Sequence, residues 1–435
     1  MAMRSAVLQV LMNGMSVGSL RSTASGVLTF RYGPSWLDSD LRRPISLSLP
    51  LASREYTGPI VENYFDNLLP DSQPIRSRLQ VRTRAESGRC FDLLARIGRD
   101  CIGALQLLPE GEQVDIRTVQ AQPLSDMDIA AILKNYQAMP LGVDLDADFR
   151  ISLAGAQEKT AFLLHNGRWC RPAGATPTSH LFKLPIGEFA RSGIDLSTSV
   201  ENEWLCHRIL AGFGLPIAPA DMHTFGDQKA LVVERFDRRW AQDGSWLMRL
   251  PQEDMCQASG LSGSLKYEAD GGPGMQKIMD ILLGSLNSQE DRATFMKAQL
   301  LFWMLAAIDG HAKNFSIVHL AGGLYRMTPL YDVISVHPLV ATRQIDRQKV
   351  SMAMAVHGKQ SHYRWDMISR RHWLETARKC RFSPEEMELI IEACCDQAET
   401  VMEEVGQHLP PEFPEDIVAV IFAGLHAARD RLRRQ

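Results

Sequence analysis

The stretch Asp309-Gly310-His311-Ala312-Lys313-Asn314 follows the apolar segment Glu290–Ile308, whose periodicity and composition predict a buried helix. Two strand-like runs then surround Gly322-Gly323, which is typical of a hairpin turn, and lead to Tyr331-Asp332. The chain thus carries an acid, an amide five residues later and a second acid beyond one hairpin. Carboxylate and amide oxygens are the hard ligands that Mg²⁺ takes, and the ion needs few of them from a protein.

This spacing is the one that kinases use for phosphoryl transfer. Asp309 would orient an attacking hydroxyl and accept its proton, and Asn314 and Asp332 would hold the metal ions that bridge the phosphates. Asp and Asn are also common in loops for conformational reasons alone, so a structural role is the alternative for each residue. The hairpin that joins the hexapeptide to Asp332 favours the phosphotransfer interpretation.

A kinase also needs a strand lysine that holds phosphates and a helix acid that pairs with it. Lys183 lies inside the apolar run Leu181–Leu184, where an unpaired lysine pointing inward is costly. Glu203 on the helix that starts near Ser199 is the preferred partner, because Glu201 lies in the first turn, where an acid stabilises the helix dipole. The alternative for Lys183 is an edge-strand lysine that points to solvent.

Two further segments fit the same interpretation. Ser152–Lys159 lies between strand candidates and has small residues whose amides could approach an anion, although it has one glycine instead of a glycine-rich motif. Val232–Asp237 ends the last strand before the helical half, where a hinge that carries adenine would lie; the alternative is an edge strand that runs into a charged loop. The chain order of all these pieces matches a kinase, and this consistency supports the interpretation.

Composition sets the limits of these interpretations. The length of 435 residues predicts two or three compact units. The net charge of −4, with 45% hydrophobic and 23% charged residues, excludes extensive disorder. The near-neutral charge argues against a surface that coats nucleic acid throughout, but it leaves room for a local basic patch.

The cysteines and the apolar runs indicate the compartment. Eight cysteines without a CxxC pair predict buried free thiols in a reducing cytosol. The longest uncharged apolar stretch, Ala298–Ile308, has eleven residues and is too short to cross a bilayer. Asn13-Gly14 interrupts the N-terminal apolar run as a hairpin turn and not as part of a signal peptide. We therefore expect a cytoplasmic protein without membrane contact.

The chain is expected to form an α+β fold. An N-terminal β-rich domain, residues 1–123, precedes a two-lobed domain, residues 124–435, whose β-rich lobe ends near residue 240 and whose remaining lobe, 241–435, is mostly helical. Within the first domain we expect a helix over Glu62–Leu69 and a solvated basic face with Arg76, Arg78, Arg82 and Arg84. After residue 250 we expect helices interrupted by one hairpin, the one around Gly322-Gly323.

Several longer motifs resemble the HipA family of serine/threonine kinases, the toxins of bacterial toxin–antitoxin pairs. The resemblance covers nearly the whole chain. The motifs are Ile151–Lys159 (ISLAGAQEK), Leu181–Pro185 (LFKLP), Glu234–Arg239 (ERFDRR), Leu250–Cys256 (LPQEDMC), Asp309–Asn314 (DGHAKN) and Tyr331-Asp332, with Asn67–Asp71 (NLLPD) and Gly103–Leu107 (GALQL) near the N-terminus.

The resemblance implies a kinase-like fold and an ATP- and Mg²⁺-dependent active site. It implies Asp309 as the catalytic acid, Asn314 and Asp332 as magnesium ligands, and Lys183 as a phosphate ligand. It further implies that Glu234 and Phe236 contact adenine, Asp237 contacts the ribose and His311 lies near the phosphates. The remaining ATP-binding residues that it implies are Leu153, Ala154, Gly155, Ala156, Gln157, Arg235 and Lys313.

The resemblance also implies a biological role. Ser152 matches a serine that family members autophosphorylate, and the substrate class is an aminoacyl-tRNA synthetase, typically the glutamyl enzyme. The partner is a HipB-like helix-turn-helix antitoxin, with which the kinase represses its own operator. Arg378, Lys379 and Arg381 fall where the family contacts that DNA, although a solvated basic turn is the alternative. Two rival functions remain: a catalytically idle DNA-binding co-repressor and a small-molecule kinase.

Overall fold

The computed structural model of the chain describes residues 6–138, 159–189 and 193–434. Both helices and strands occur throughout, which confirms the α+β class. The chain divides into two compact units and passes between them repeatedly. The first unit comprises Met1–Leu184, His223–Ser264 and Ser316–Tyr325, and the second comprises Pro185–Met222, Leu265–Phe315 and Arg326–Gln435.

An antiparallel five-stranded sheet begins the first unit. Asn13 and Gly14 form the predicted two-residue turn between its first two strands, and both have the left-handed φ, 45° and 77°, that this turn requires. The strand order across the sheet is Tyr56–Thr57, Leu28–Tyr32, Met15–Ser22, Ala6–Met12 and Leu105–Pro109.

Four helices accompany this sheet, and two of them differ from the predictions. The helix expected over Glu62–Leu69 starts and ends earlier, because Gly58 turns the chain at φ 80° and proline occupies the first helical position. The basic stretch is itself helical. Arg76 is buried and pairs with Asp66 at 2.6 Å, so this arginine does not belong to a solvated face. The helices are Pro34–Leu37, Pro59–Asp66, Gln73–Thr83 and Cys90–Ile97.

A second sheet in the described part of the chain has six strands. Asn166-Gly167 forms the turn of a hairpin, and the rings of Phe162 and Phe182 meet edge to face at 4.9 Å on neighbouring strands. The order is Ala220–Phe225, Gln228–Glu234, His180–Lys183, Lys159–His165, Arg168–Pro172 and Ala121–Pro123, and the His223–Phe225 part of the first strand belongs to this unit.

Shorter elements complete the first unit. Ser125 and Asp128 exchange hydrogen bonds at the start of the helix Asp126–Ala138. The other elements are the paired strands Arg238–Trp240 and Leu247–Arg249, the paired strands Gln252–Asp254 and Ser316–His319, and the helix Met255–Ala258.

The second unit is mostly helical, as expected. Its long helix Pro384–Gln407 packs against other helices of this unit, and the Ser383 hydroxyl accepts a hydrogen bond from the Glu386 amide as its N-cap. The helices are Ser199–Gly212, Met275–Leu282, Ser288–Met304, His337–Ala341, Arg370–Lys379, Pro384–Gln407 and Glu415–Arg434. The paired strands Gly187–Phe189 and Ile194–Leu196 precede them.

The expectation of one hairpin after residue 250 is wrong, because Ser351–His357 and Ser361–Arg364 form another. Residues 352–356 are all buried, so the strand lacks the polar–apolar alternation of a half-exposed strand. Its Met and Ala residues are also strong helix formers, and here pairing with the neighbouring strand overrides that preference.

The helix that precedes Asp309 ends at Met304 and not at Ile308. Ala306 adopts a left-handed φ of 47°. The amides of Ala306 and Ala307 donate to the carbonyls of Trp303 and Phe302, at 3.1 and 2.8 Å. This is a Schellman ending with alanine in the place that glycine usually takes, and it turns the chain toward Asp309.

The prediction that the thiols are free and buried is confirmed. All eight cysteines are free and buried, and burial raises the pKa of Cys206 to about 12. Among the residues that the structure describes, no helix combines the length and apolar character needed to cross a membrane.

A buried ion cluster joins distant parts of the first unit. Asp100 accepts hydrogen bonds from Arg238 at 2.8 Å and Arg249 at 3.2 Å. Asp237 accepts from Arg235 through both carboxylate oxygens, at 2.9 and 2.8 Å. All five side chains are at least 95% buried, so three cations and two anions share a site without solvent.

Charge pairing outweighs desolvation at Asp100, whereas desolvation outweighs pairing at Arg249. Burial raises the pKa of the Asp100 carboxyl, but the guanidinium groups of Arg238, Arg235 and Arg249 more than offset this and hold its pKa well below the usual range. Burial also lowers the pKa of Arg249, to about 10. Because the folded-state pKa of Asp100 is depressed, its contribution to stability is present at neutral pH and is lost as acid protonates it.

We therefore expect Asp100→Asn to lower the free energy of unfolding by about 3–5 kcal/mol at pH 7, since the variant leaves buried cations uncompensated. Urea denaturation followed by tryptophan fluorescence measures this. The difference from the unsubstituted chain should shrink as the pH is lowered. Asp227→Asn is the control, because Asp227 is exposed on the same unit and should leave the urea midpoint unchanged. A loss below about 1 kcal/mol would contradict the importance of the cluster.

Candidate active site

The loop that begins at Asp309 lies in the second unit and is tightly constrained. The His311 amide donates to the Asp309 carbonyl at 2.7 Å, and the Asn314 amide donates to the His311 carbonyl at 2.9 Å. A Cβ on Gly310 would lie 2.6 Å from Cδ2 of Phe302, so only glycine fits at this position. The loop therefore presents Asp309 and Asn314 from a fixed backbone.

Asp309 is exposed and His311 is buried beside it. The Asp309 side chain is 67% accessible, and its Oδ2 lies 4.0 Å from His311 Nε2. Its Oδ1 accepts a hydrogen bond of 2.6 Å from the Tyr267 hydroxyl. Burial lowers the pKa of His311, and Asp309 only partly offsets this, so the imidazole is neutral at neutral pH. An accessible carboxylate of this kind can accept the proton of a hydroxyl group.

Asn314 and Asp332 are brought together as the sequence predicts. The side-chain nitrogen of Asn314, Nδ2, lies 3.3 Å from the Asp332 backbone carbonyl oxygen and 3.4 Å from Asp332 Oδ2. Asn314 Oδ1 is buried and has no hydrogen-bond partner within the described residues. Asp332 has a left-handed φ of 62°, an uncommon conformation for this residue type that concentrates at functional sites.

This pair fits a hard divalent cation. Asn314 has an unpartnered side-chain oxygen, and its side-chain nitrogen lies 3.4 Å from the Asp332 carboxylate. Amide and carboxylate oxygens are donor types that Mg²⁺ uses together with substrate phosphates. Over residues 6–138, 159–189 and 193–434, no group of three or more His, Cys, Asp and Glu side chains could hold a metal by itself. Water molecules and substrate phosphates would complete the coordination of Mg²⁺.

Lys183 is buried on a strand of the first unit, and a second lysine lies opposite it. Lys159 and Lys183 are direct partners in the antiparallel pair of strands, and both side chains are at least 90% buried. Directly paired residues point to the same face of a sheet. Sequence reasoning missed Lys159 as a site residue, although it ends the small-residue loop and begins a strand, which was the available signal.

The segment predicted to be a hinge divides into exposed and buried residues. Glu234 ends its strand and is exposed, and Phe236 is half-buried. Arg235 and Asp237 are fully engaged in the ion cluster, and the Asp237 carboxylate also accepts the Gly103 amide at 2.7 Å. A ribose contact at Asp237 would have to compete with these bonds. Sequence reasoning missed Asp100, Arg238 and Arg249 as their partners.

The remaining predicted residues are distributed as follows. Lys313 is buried, and its carbonyl accepts the Tyr331 hydroxyl at 2.9 Å. Glu203 is buried on the helix Ser199–Gly212, with its Oε1 3.6 Å from His207 Nε2. The loop residues Ser152, Leu153, Ala154, Gly155, Ala156 and Gln157 lie outside the described residues.

The basic residues predicted to contact DNA lie at one helix end. Arg378 and Lys379 occupy the last turn of the helix Arg370–Lys379, and Arg381 follows it; all three are exposed. Arg378 pairs with Glu375 at 3.0 Å and Arg381 with Asp280 at 3.4 Å. Exposed pairs of this kind are weak, so a polyanion could displace the acids.

Comparisons with known proteins identify relatives across both halves of the chain. Residues 8–108 match the HipA N-terminal domain and residues 151–402 match the HipA-like C-terminal domain. The Sinorhizobium fredii protein Y4mE, whose name designates a kinase, is 34% identical over 340 residues, which are 76% of this chain and 77% of that protein. The serine/threonine-protein kinase toxin HipA of Shewanella oneidensis is 27% identical over 342 residues, 76% of this chain and 75% of that protein.

The fold has a solved counterpart. The structure of the Shewanella oneidensis toxin–antitoxin system HipA, HipB and its operator DNA complex matches with a TM-score of 0.80 and 23% identity, covering 98% of this chain and 97% of the matched one. That likeness shows the kinase-like fold, and the relatives show the enzyme class. The chain belongs to the HipA family of serine/threonine kinase toxins.

Proposed function

We propose that the chain uses Mg²⁺ and ATP to phosphorylate serine or threonine hydroxyls on a protein and that it acts as the toxin of a toxin–antitoxin pair. The observation that carries this proposal is the buried, unpartnered Oδ1 of Asn314, a residue whose side-chain nitrogen lies 3.4 Å from Asp332 Oδ2. It lies on the loop that presents the accessible carboxylate of Asp309. In kinases this combination positions the phosphates and the attacking hydroxyl.

Each residue of the proposed site has a role that its chemistry allows. Asn314 and Asp332 would hold Mg²⁺, which supplies positive charge to the phosphates, and Asp309 would accept the proton of the acceptor hydroxyl. Lys183, with Lys159 beside it, would hold phosphate oxygens. Glu234 and Phe236 would contact adenine. The other proposed ATP contacts are Leu153, Ala154, Gly155, Ala156, Gln157, Arg235, Asp237, His311 and Lys313.

We expect Asp309→Asn to abolish phosphoryl transfer while the fold and ATP binding persist, since the residue acts by positioning and proton acceptance. Single-turnover transfer of labelled phosphate from Mg-ATP to the chain itself and to purified glutamyl-tRNA synthetase measures this. Activity within about tenfold of the unsubstituted chain, about 1.4 kcal/mol in barrier height, would remove Asp309 from the role.

We expect Asp332→Ala to weaken ATP binding by at least about tenfold when Mg²⁺ is present and far less when it is absent, because the variant removes a carboxylate ligand. Calorimetric titration with and without Mg²⁺ measures both affinities. Asp346→Ala serves as the control, since Asp346 caps a short turn elsewhere in the second unit. An unchanged magnesium dependence would contradict the metal assignment.

We propose an aminoacyl-tRNA synthetase, the glutamyl enzyme, as the substrate and Ser152 as an autophosphorylation site. A phosphoserine beside the proposed phosphate loop adds about −1.5 to −2 charge, which would repel ATP and switch the kinase off. Mass spectrometry of the purified chain should find phosphate on Ser152, and the Asp309→Asn variant should carry none. Label on a metabolite, and on neither protein, would support a small-molecule kinase instead.

We propose that a HipB-like helix-turn-helix antitoxin and operator DNA are the partners of this chain. We also propose that its domains are residues 1–123 and 124–435 and that it works in the cytoplasm. The matched complex contains HipB and operator DNA, which supports the proposal of these two partners. A net charge of −4 does not attract DNA by itself, so the antitoxin would supply most of the binding energy. The exposed Arg378, Lys379 and Arg381 would add phosphate contacts.

Neutralising Arg378, Lys379 and Arg381 together should reduce the salt dependence of operator binding by up to about three units of slope without changing sequence preference, because phosphate contacts release counterions. Binding of the kinase–antitoxin complex to its operator, measured across salt concentrations, tests this. The matched control neutralises Arg239, an exposed arginine of the first unit. An unchanged slope would leave the three residues as surface charge.

A further inference from the structure

The proposed catalytic carboxylate has a hydrogen-bond donor that none of the family motifs includes. The Tyr267 hydroxyl donates to Asp309 Oδ1 at 2.6 Å, within the range of short, charge-assisted O–H···O⁻ bonds. Within the described residues, it is the one side chain within hydrogen-bond distance of the Asp309 carboxylate, since His311 Nε2 stays 4.0 Å from Oδ2. Asp309 is 67% exposed, so without this bond its side chain would be free to rotate.

Tyr267 contacts the loop in more than one place. Its ring meets the His311 ring edge to face, with centroids 5.2 Å apart and planes at 78°. The carbonyl of the preceding Lys266 accepts a hydrogen bond from the Ala312 amide at 3.2 Å. The segment Lys266–Tyr267 therefore packs along the loop on both sides of Gly310.

A neighbouring strand fixes both this segment and the loop. The Glu268 carboxylate accepts a hydrogen bond from the Ala355 amide at 2.6 Å. Two residues earlier on the same strand, the Ala353 amide donates to the Ile308 carbonyl at 3.0 Å, directly before Asp309. Because one strand holds both partners, the distance between Tyr267 and Asp309 is set by the framework and not by a loose side chain.

We propose that Tyr267 is a positioning residue for phosphoryl transfer: its hydroxyl binds Asp309 Oδ1 and fixes the carboxylate so that Oδ2 faces the acceptor hydroxyl. A carboxylate has two oxygens and about four acceptor sites, so one can be held while the other receives a proton. The inference rests on the proposed role of Asp309. Fixed orientation of a reacting group lowers the barrier to reaction and leaves ground-state binding unaffected.

Tyr267→Phe isolates the hydroxyl, because the phenylalanine ring keeps the contact with His311. We expect the single-turnover rate of phosphate transfer from saturating Mg-ATP to fall about tenfold, with the half-saturating ATP concentration unchanged within about twofold. Tyr267→Leu also removes the ring, so its single-turnover rate should fall at least as far. A purely structural role would change the melting temperature and ATP affinity together with the rate.

Two controls separate the outcomes. Tyr363→Phe removes a phenol oxygen from the hairpin of the same unit and should keep the unsubstituted rate. Asp309→Asn should be inactive; if it retains activity, the proposed role of Asp309 fails. If Asp309→Asn is inactive while Tyr267→Phe transfers phosphate at the unsubstituted rate, the positioning role is overturned. A fall in ATP affinity equal to the fall in rate would also overturn it.

Discussion

Five buried charges hold the first unit in its arrangement. Asp100 comes from the N-terminal part of the chain, whereas Arg235, Asp237, Arg238 and Arg249 surround the segment that ends the second sheet. Removing either carboxylate would leave the buried arginine charges largely uncompensated in a site without water, so the cluster depends on both aspartates. The cluster thereby fixes the backbone on both sides of Phe236. The adenine contacts proposed for this segment depend on a framework to which the N-terminal part contributes.

The proposed metal site in the second unit has two features that differ from this charge pairing. Asn314 Oδ1 is buried without a partner in the described part of the chain, and Asp332 holds a left-handed backbone. Each feature destabilises the fold on its own account. Both lie at the proposed metal site, where a cation would use the same oxygen atoms. The first unit therefore uses charge to fix geometry, and the second keeps ligands available.

Local chemistry made much of this predictable from sequence. Asn13-Gly14 and Asn166-Gly167 define their turns through left-handed φ angles, and Ser383-Pro384 defines a helix start. The spacing of Asn314 and Asp332 also correctly predicted that they meet. The partners that sequence reasoning missed depend on tertiary contacts. The sequence separation is 135 positions for Asp100 and Arg235, 24 for Lys159 and Lys183, and 42 for Tyr267 and Asp309. No local pattern encodes such pairings. The Schellman helix ending at Ala306 was not predicted either, because glycine is the residue that usually indicates such an ending.

The burial of every thiol has a practical consequence. All eight cysteines are buried, and burial raises the pKa of Cys101, Cys380 and Cys394 to about 12, so little reactive thiolate forms at neutral pH. A cysteine introduced at an exposed position would therefore react first with a maleimide or a nitroxide reagent, and the native thiols need not be removed. With one label in each unit, the distance between the two labels would report how the separation of the units responds to nucleotide.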